Sequence, residues 1–466
     1  MTPLLTAEVT ADLLRKYDRP GPRYTSYPTA VEFQESFGPG SYRERLAAAA
    51  ARPDLPLSLY THIPFCRSRC SFCACTVLIT RNPRVSENYL GYLLREIDLV
   101  APLLGDRRRV KQLHWGGGTP TYLDLAQIRR LFGKFREHFV LEPDAEVALE
   151  VDPRVTSVEQ MELLRGLGFN RVSMGVQDFD GAVQEAIHRA QPYDQTRSLV
   201  ETSRRLGFHS VNVDLVYGLP RQTEEGFRRT LEQVVEIRPD RLAVYSFAMV
   251  PWMKRNQRLI RPDELPAPEV KLRLYGRARA RLLEAGYQAI GMDHFALPGD
   301  ELSVAARGRV LHRNFMGYTT RPAPDMVGFG MSSIGEVAGA FVQNHKSLVR
   351  YYERIDAGEL PVERGYALDG DDERRRAVIL ALMCNFHVDV PAWERRFGRR
   401  FAEEYAGEIR ELAAPDGPAS HGFVRVTPDA IEVTPVGTLF VRNLAMVFDR
   451  YLKAKRGDRP VFSRTV

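Results

Sequence analysis

The sequence predicts an α/β fold, a partial (β/α)6-type barrel followed by a mostly helical, winged-helix-like domain. Three observations predict it. Short β-like apolar runs alternate with amphipathic stretches of helical period between residues 57 and 292. Residues of functional type gather where those runs end. From about Asp371 the pattern changes to helices and one hairpin.

The expected strands are 57–63, 110–115, 146–151, 171–175, 211–216 and 241–247. Between them Tyr89, Leu90, Leu93, Leu94 and Ile97 recur at helical spacing after Ser86, which reads as an N-cap. Leu125, Ile128, Leu131 and Phe132 form a second stripe, and Thr223 opens a helix reaching toward Val235. Strand–helix repetition implies right-handed βαβ units on a parallel sheet, which periodicity alone leaves either open and doubly wound or barrel-like. Glu150, Asp152, Gln177, Asp214 and the turn Gly116-Gly117-Gly118 stand at strand C-terminal ends, where barrel active sites lie, and favour the barrel.

Beyond it, three helical stretches lead to a hairpin, 422–426 and 430–433 with 427–429 as its turn, and to a last helix over 439–452. No exposed recognition side chains mark this unit for DNA, and it reads as a cover packed on the barrel. The expected division is a segment over 1–55 covering the active site, a barrel over 56–300, a region over 301–370 completing the site, and the helical domain over 371–466.

Composition narrows the function classes. With 44% hydrophobic and 27% charged residues the chain is an ordinary globular protein. No apolar run approaches the ~20 residues of a membrane span, and residues 1–8 do not read as a signal peptide, so a cytoplasmic location is expected. The net charge of +6 comes from Arg scattered among Asp and Glu, as in Glu373-Arg-Arg-Arg376. That describes a solvated surface and gives no reason to expect a nucleic-acid partner.

Cysteine is more telling. Four of the five fall between Cys66 and Cys75, in the pattern C-x3-C-x2-C-x-C. A structural zinc site pairs such a motif with a second, distant pair, and none follows. A redox C-x-x-C would leave two thiols without a role. Three thiolates on a [4Fe–4S] cluster leave one iron open for a ligand. Cys384, in an apolar helical run, reads as a packed core thiol.

C-x3-C-x2-C on the loop after a first strand, within repeated βα units, resembles the signature of the radical S-adenosylmethionine superfamily. The likeness is closer still to the oxygen-independent coproporphyrinogen III oxidases. It runs through Arg23-Tyr-Thr-Ser-Tyr-Pro-Thr-Ala30, Leu59-Tyr-Thr-His-Ile-Pro-Phe-Cys66, His114-Trp-Gly-Gly-Gly-Thr-Pro-Thr-Tyr122, Glu150-Val-Asp-Pro-Arg154, Ser173-Met-Gly-Val-Gln-Asp178, Val213-Asp-Leu-Val-Tyr-Gly-Leu-Pro220, Ile290-Gly-Met-Asp-His-Phe295 and Leu311-His-Arg-Asn-Phe315. These segments run in order from near residue 20 to Phe462-Ser-Arg, nearly the whole chain.

The resemblance implies anaerobic oxidative decarboxylation of coproporphyrinogen III to protoporphyrinogen IX, two propionates becoming vinyls, by a 5′-deoxyadenosyl radical, in haem biosynthesis. It implies a [4Fe–4S] cluster on Cys66, Cys70 and Cys73 and two S-adenosylmethionine molecules. Tyr60, Gly117, Glu150 and Ile334 would contact the cluster-bound one. Phe72, Gly118, Thr119, Gln177, Arg189, Asp214 and Ala248 would contact the second. Cys75 matches the family's fourth, non-ligand cysteine and is the candidate catalytic thiol, able to support hydrogen transfer, adjoin the second cofactor or fill space. Arg23, His312 and Arg313 are candidates for holding propionates. An electron donor and an acceptor, both unidentified, complete the partners of an expected monomer.

Two positions depart from the family pattern, Ala74 where glycine is familiar and Met249-Val-Pro-Trp252 in place of a more polar stretch. The rivals are a haem chaperone of the same superfamily, against which Cys75 and the Tyr24–Pro28 segment speak, and a zinc-stabilised binding protein with a winged-helix tail.

Overall fold

In the computed structural model, residues 9–454 and 462–465 are described; the opening segment read above for a signal peptide lies outside them. Six strands come where the sequence places them: β1 (Leu57–Ile63), β2 (Arg109–Gly117), β3 (Val140–Val151), β4 (Arg171–Gln177), β5 (Ser210–Tyr217) and β6 (Arg241–Ser246). They pair in parallel in that order. β3 begins six residues before the run that announced it. Of residues 140–145 only Ala145 is buried, and the run carries Glu142-Pro-Asp144, so it lacks the apolar alternation.

The helices between them are α1 (Pro83–Val100), α2 (Leu125–His138), α3 (Val158–Leu167), α4 (Tyr193–Arg205) and α5 (Glu224–Ile237). Thr223 caps α5 by accepting from the Gly226 amide, as expected. Ser86 does not cap α1. Asn82 does, accepting from the Arg84 amide, with Pro83 at the first helical position. Proline has no amide hydrogen to leave unsatisfied there, and Ser86 is bonded inside the first turn to the Pro83 carbonyl.

The sheet continues past the six repeats. After α6 (Pro268–Glu284) come β7 (Gln288–Ala289) and β8 (His294–Ala296), and then the separate hairpin β9 (His312–Asn314) and β10 (Gly317–Thr319). β11 (Asp325–Phe329), β12 (Ile334–Val337), β13 (Ala340–Asn344) and β14 (Val362–Ala367) follow. The twelve-stranded order is β14-β13-β12-β11-β1-β2-β3-β4-β5-β6-β8-β7. β11 runs parallel to β1 and the outer strands are antiparallel, so the barrel stays open.

Side chains alternate across a strand, and here the alternation divides the chemistry. Leu113, Trp115, Val147, Leu149, Val172 and Met174 are buried with Leu93, Ile97, Leu131 and Phe132 of the helices. Gln112, His114, Glu146, Glu150, Arg171, Ser173, Asn212 and Asp214 line a cavity of about 780 Å³ instead, which Met316, Gly317 and Tyr318 of the hairpin help to enclose. Ion pairs of Arg171 with Glu146 (3.0 Å) and Glu301 (2.6 Å), and of Arg241 with Asp300 (2.8 Å), form its floor at the strand N-terminal ends.

The C-terminal part holds α7 (Gly370–Asn385), β15 (His387–Asp389), the expected hairpin β16 (Val424–Val426) and β17 (Ala430–Val433), and α8 (Val441–Val447). The last helix is not continuous over 439–452. α8 ends at Val447, and Asp449 accepts from the Tyr451 and Leu452 amides at the start of a new helical turn. This part shares its core with Tyr17, Tyr24 and Tyr27 of the N-terminal segment. Cys384 is buried in a separate small core with Leu311 and Tyr318, beside Arg313, and burial pushes its thiol up to about 12, the packed core thiol expected.

Candidate active site

The loop leaving β1 is held from both sides. The Gly118 amide donates to the Ile63 carbonyl at 2.9 Å and the Thr119 amide to that of Phe65 at 2.8 Å. A Cβ on Gly118 would lie 2.7 Å from Phe65 O, and one on Gly117 would lie 2.4 Å from the His62 ring, with φ at +108° besides. The glycine run is therefore required by the packing of this turn on the end of β1. Asn256 holds the far side of the loop, its side-chain amide donating to the carbonyls of Cys70 (3.3 Å), Ser71 (2.9 Å) and Cys73 (2.9 Å).

Cys70 and Cys73 both act electrostatically on Cys66. Burial pushes the Cys66 thiol up to about 11 against a contact with Thr119 Oγ1 at 3.6 Å. Cys75 donates to the Cys73 sulfur, which pulls Cys73 down to about 6 and pushes Cys75 up. The sulfur of Cys70 receives Arg189 Nη1 at 3.5 Å and Arg154 Nη2 at 3.8 Å. Both guanidinium groups also hold Asp152, at 3.3 and 2.7 Å. Burial opposes the Asp152 charge, and these two cations keep its pKa below the ordinary value.

Among the described residues no three His, Cys, Asp or Glu side chains converge as the ligands of one metal ion. Three thiolates serving one cluster bind three different irons, so they need not converge on one point. Arg189 Nε is buried and unpartnered beside them. Three thiols within electrostatic reach, two cations on one of them and a spare buried donor fit an anionic cluster better than zinc.

Above the cavity Glu150 accepts from the Gly117 amide at 3.0 Å and faces His114 Nε2 at 3.6 Å. Burial would raise its pKa, and these partners hold it below the ordinary value. Tyr60 bonds His62 Nδ1 at 3.0 Å and lies against the His114 ring. Burial, with the Glu150 charge adding, pushes Asp214 up to about 7 against bonds from Asn212 (2.8 Å) and Ser173 (3.4 Å). Gln177 and Arg189 meet over Gly175, whose carbonyl Arg189 Nη2 bonds at 2.6 Å. Gln257 joins Phe72 and Ala248, donating to both carbonyls at 3.0 Å. Ile334 stands one strand out, its carbonyl against Gly328, the partner of Tyr60 in the β1–β11 ladder.

Of the candidate propionate holders, Arg23 pairs with Asp293 and lies over the Tyr245 ring. Arg313 is buried over Tyr318 with Nε and Nη1 unpartnered. His312 is exposed on the opposite face of β9. The sequence reading missed Asn256, Gln257 and the roles of Arg154 and His62. The last two lie inside matched motifs, whereas nothing local marks a polar pair in a loop after β6.

Residues 60–234 match the family model described as Radical SAM superfamily, and residues 368–440 match the HemN C-terminal domain. The oxygen-independent coproporphyrinogen III oxidases of Salmonella typhimurium and Escherichia coli are each 47% identical over 454 residues, 97% of this chain and 98% of theirs. The chain belongs to the oxygen-independent coproporphyrinogen III oxidase family. The Synechocystis member is 43% identical over 99% of both chains. The solved structure of coproporphyrinogen III oxidase (HemN) from Escherichia coli, described as a radical SAM enzyme, superposes with a TM-score of 0.88, covering 92% of this chain and 97% of that one. The family is a radical SAM one, which brings with it a [4Fe–4S] cluster and S-adenosylmethionine. Among the described residues no helix is long and apolar enough to cross a membrane.

Proposed function

We propose that this chain oxidatively decarboxylates two propionates of coproporphyrinogen III to vinyls without oxygen, giving protoporphyrinogen IX. The observation that carries this reading is the cysteine loop, with Cys70 under Arg189 and Arg154, held at the mouth of a polar cavity lined by Glu150 and Asp214. For each propionate a hydrogen leaves the β-carbon, carbon dioxide leaves the carboxylate, and the remaining electron passes to an acceptor.

Cys66, Cys70 and Cys73 would hold the cluster. When bound, cluster and S-adenosylmethionine supply the one-electron cleavage that makes the hydrogen-abstracting adenosyl group. The chain's own residues bind, orient and shield. Glu150 and Tyr60 flank the first cofactor position, and Glu150 stays ionised to receive an ammonium or ribose hydroxyl. Phe72, Gly118, Thr119, Gln177, Arg189, Asp214 and Ala248 would contact a second molecule, so two S-adenosylmethionine molecules are part of the proposal. Asn256 and Gln257 keep the loop carbonyls engaged and fix the thiols against the cavity. Arg23 and Arg313 supply positive charge on the substrate side. Cys75, exposed and within electrostatic reach of Glu150 and Tyr60, would be the thiol nearest the transfer.

The test is anaerobic. Reconstituted protein, S-adenosylmethionine, a reductant and coproporphyrinogen III should yield protoporphyrinogen and 5′-deoxyadenosine together, and neither with Cys66→Ala. Deoxyadenosine without vinyl product would remove the substrate assignment. Bound haem with neither product would make the chain a chaperone.

A further inference from the structure

A second cleft, of about 600 Å³, lies between the ends of β5 and β6, helix α6 and the C-terminal part. Arg23, Asp293, Tyr217, Ser246 and Arg442 line it. Arg442 is 7% exposed, and its guanidinium is spent on backbone oxygens: Pro22 (3.0 Å), Arg464 (3.1 Å), Thr465 (3.3 Å) and Gly21. Lys271 stands beside the cleft with Nζ over the Tyr217 ring and 3.2 Å from the Phe247 carbonyl.

Neither Arg442 nor Lys271 has a carboxylate within ion-pair distance among the described residues. The single acid lining the cleft, Asp293, is already shared by Arg23 and His294. Asp18, the acid that favours the Lys271 charge, is bonded to Arg464. Three cations thus meet one carboxylate. Burial and the neighbouring Arg442 and Arg23 push Lys271 down to about 8, the mark of charge that lacks a counterion. Buried charge without a partner is costly, and a fold keeps it where a ligand supplies the opposite sign.

We propose that this cleft receives the two propionates that the reaction leaves intact, with Lys271 and Arg442 supplying its uncompensated charge. The inference rests on the substrate assigned above. The two carboxylates retained in protoporphyrinogen IX stand side by side on one edge of the macrocycle, a −2 charge against a surplus of two cations. The cleft belongs to β5 and β6, whereas the cysteine loop and glycine turn extend from β1 and β2, across the cavity. A macrocycle anchored at the cleft presents its other edge to the cysteine loop.

The experiment measures anaerobic binding of coproporphyrin III, a tetracarboxylate, and mesoporphyrin IX, which keeps only the two retained propionates, to the cluster-loaded protein. Lys271→Met should weaken both by about the same factor, tenfold or more, and Lys271→Gln, which keeps a donor for the Phe247 carbonyl, should do likewise. The unliganded variants should melt no lower than the parent, because a half-buried ammonium without a carboxylate partner has gone. Unchanged affinities, or weakening confined to coproporphyrin III, would overturn the proposal. So would a lower melting temperature with intact binding, which is the signature of a purely structural lysine. If the parent protein binds neither porphyrin, the substrate assignment itself fails.

Discussion

Arg189 and Cys70 meet at the mouth of the barrel, Nη1 lying 3.5 Å from the sulfur, and the same guanidinium holds Asp152 and the Gly175 carbonyl. One side chain therefore ties the cysteine loop to the ends of β3 and β4. Arg189→Met leaves Asp152 buried with Arg154 alone. Removing one partner of a buried pair costs about 3 kcal/mol or more. A lower unfolding midpoint and faster loss of iron are expected, with Asp152→Asn in the same chain recovering part of the stability.

Asn256 makes three bonds to the loop backbone and touches no thiol. Asn256→Ala leaves those carbonyls short of a donor, at about 1–3 kcal/mol. The cost is local, so far-ultraviolet circular dichroism should be unchanged while iron per chain after reconstitution falls. Unchanged iron content would show that the loop holds its shape without this clamp.

The glycine turn separates two kinds of damage. Gly118→Ala puts a methyl against the Pro64–Phe65 backbone, which cannot step aside. It should abolish cluster assembly. Gly117→Ala meets the His62 ring, which can rotate at the expense of its bonds to Tyr60 and the Thr76 carbonyl. It should keep much of the iron and lose S-adenosylmethionine affinity, read by equilibrium binding.

Glu96 of α1 is buried and accepts from the Gly330 amide (2.7 Å), Asn344 (2.6 Å) and Tyr351 (2.6 Å), with no cation paired to it among the described residues. Burial raises it from 4.5 to about 7 despite those donors. The folded protein thus holds a proton that the unfolded chain releases. Stability from this group is complete below about pH 4.5 and is lost as the pH rises through about 7, a difference of about 3 kcal/mol. Glu96→Gln should flatten the melting profile across that window and be the more stable form at pH 8.

Cys384 supplies a control. Cys384→Ala removes a small buried side chain at about 1 kcal/mol and should leave iron content and cofactor cleavage untouched. Any loss of iron would contradict a cluster confined to the loop cysteines.

The parts of this architecture visible in the sequence share a local cause. The repeats from β1 to β6 announce themselves because each pairs an apolar run with an amphipathic helix. The cysteine loop does so because its spacing is tight, and Cys384 because it lies in an apolar stripe. The strands β11 to β14 were hidden. They are short, carry Gly328 and Gly335 at a close crossing, and take their place only because β11 pairs with β1 and the other three add to it in turn. Ser86 misled because it opens an apolar stripe one turn inside the real start of α1. The clamp residues Asn256 and Gln257 lie about 185 positions from the carbonyls they hold, a relation that no local pattern encodes.

The two ends of the described chain clasp each other. The Gly21 amide bonds the Ser463 carbonyl, the Thr465 amide bonds that of Arg19, and Arg442 grips both stretches. Residues 19 and 465 stand 446 positions apart. A ribosome delivers the barrel with its cysteines long before it delivers the second half of that clasp. For most of synthesis the stretch around Gly21 therefore lacks its backbone partners in residues 463–465, although Arg23 can already meet Asp293 and Tyr245. The clasp is thus among the last contacts that the growing chain can make.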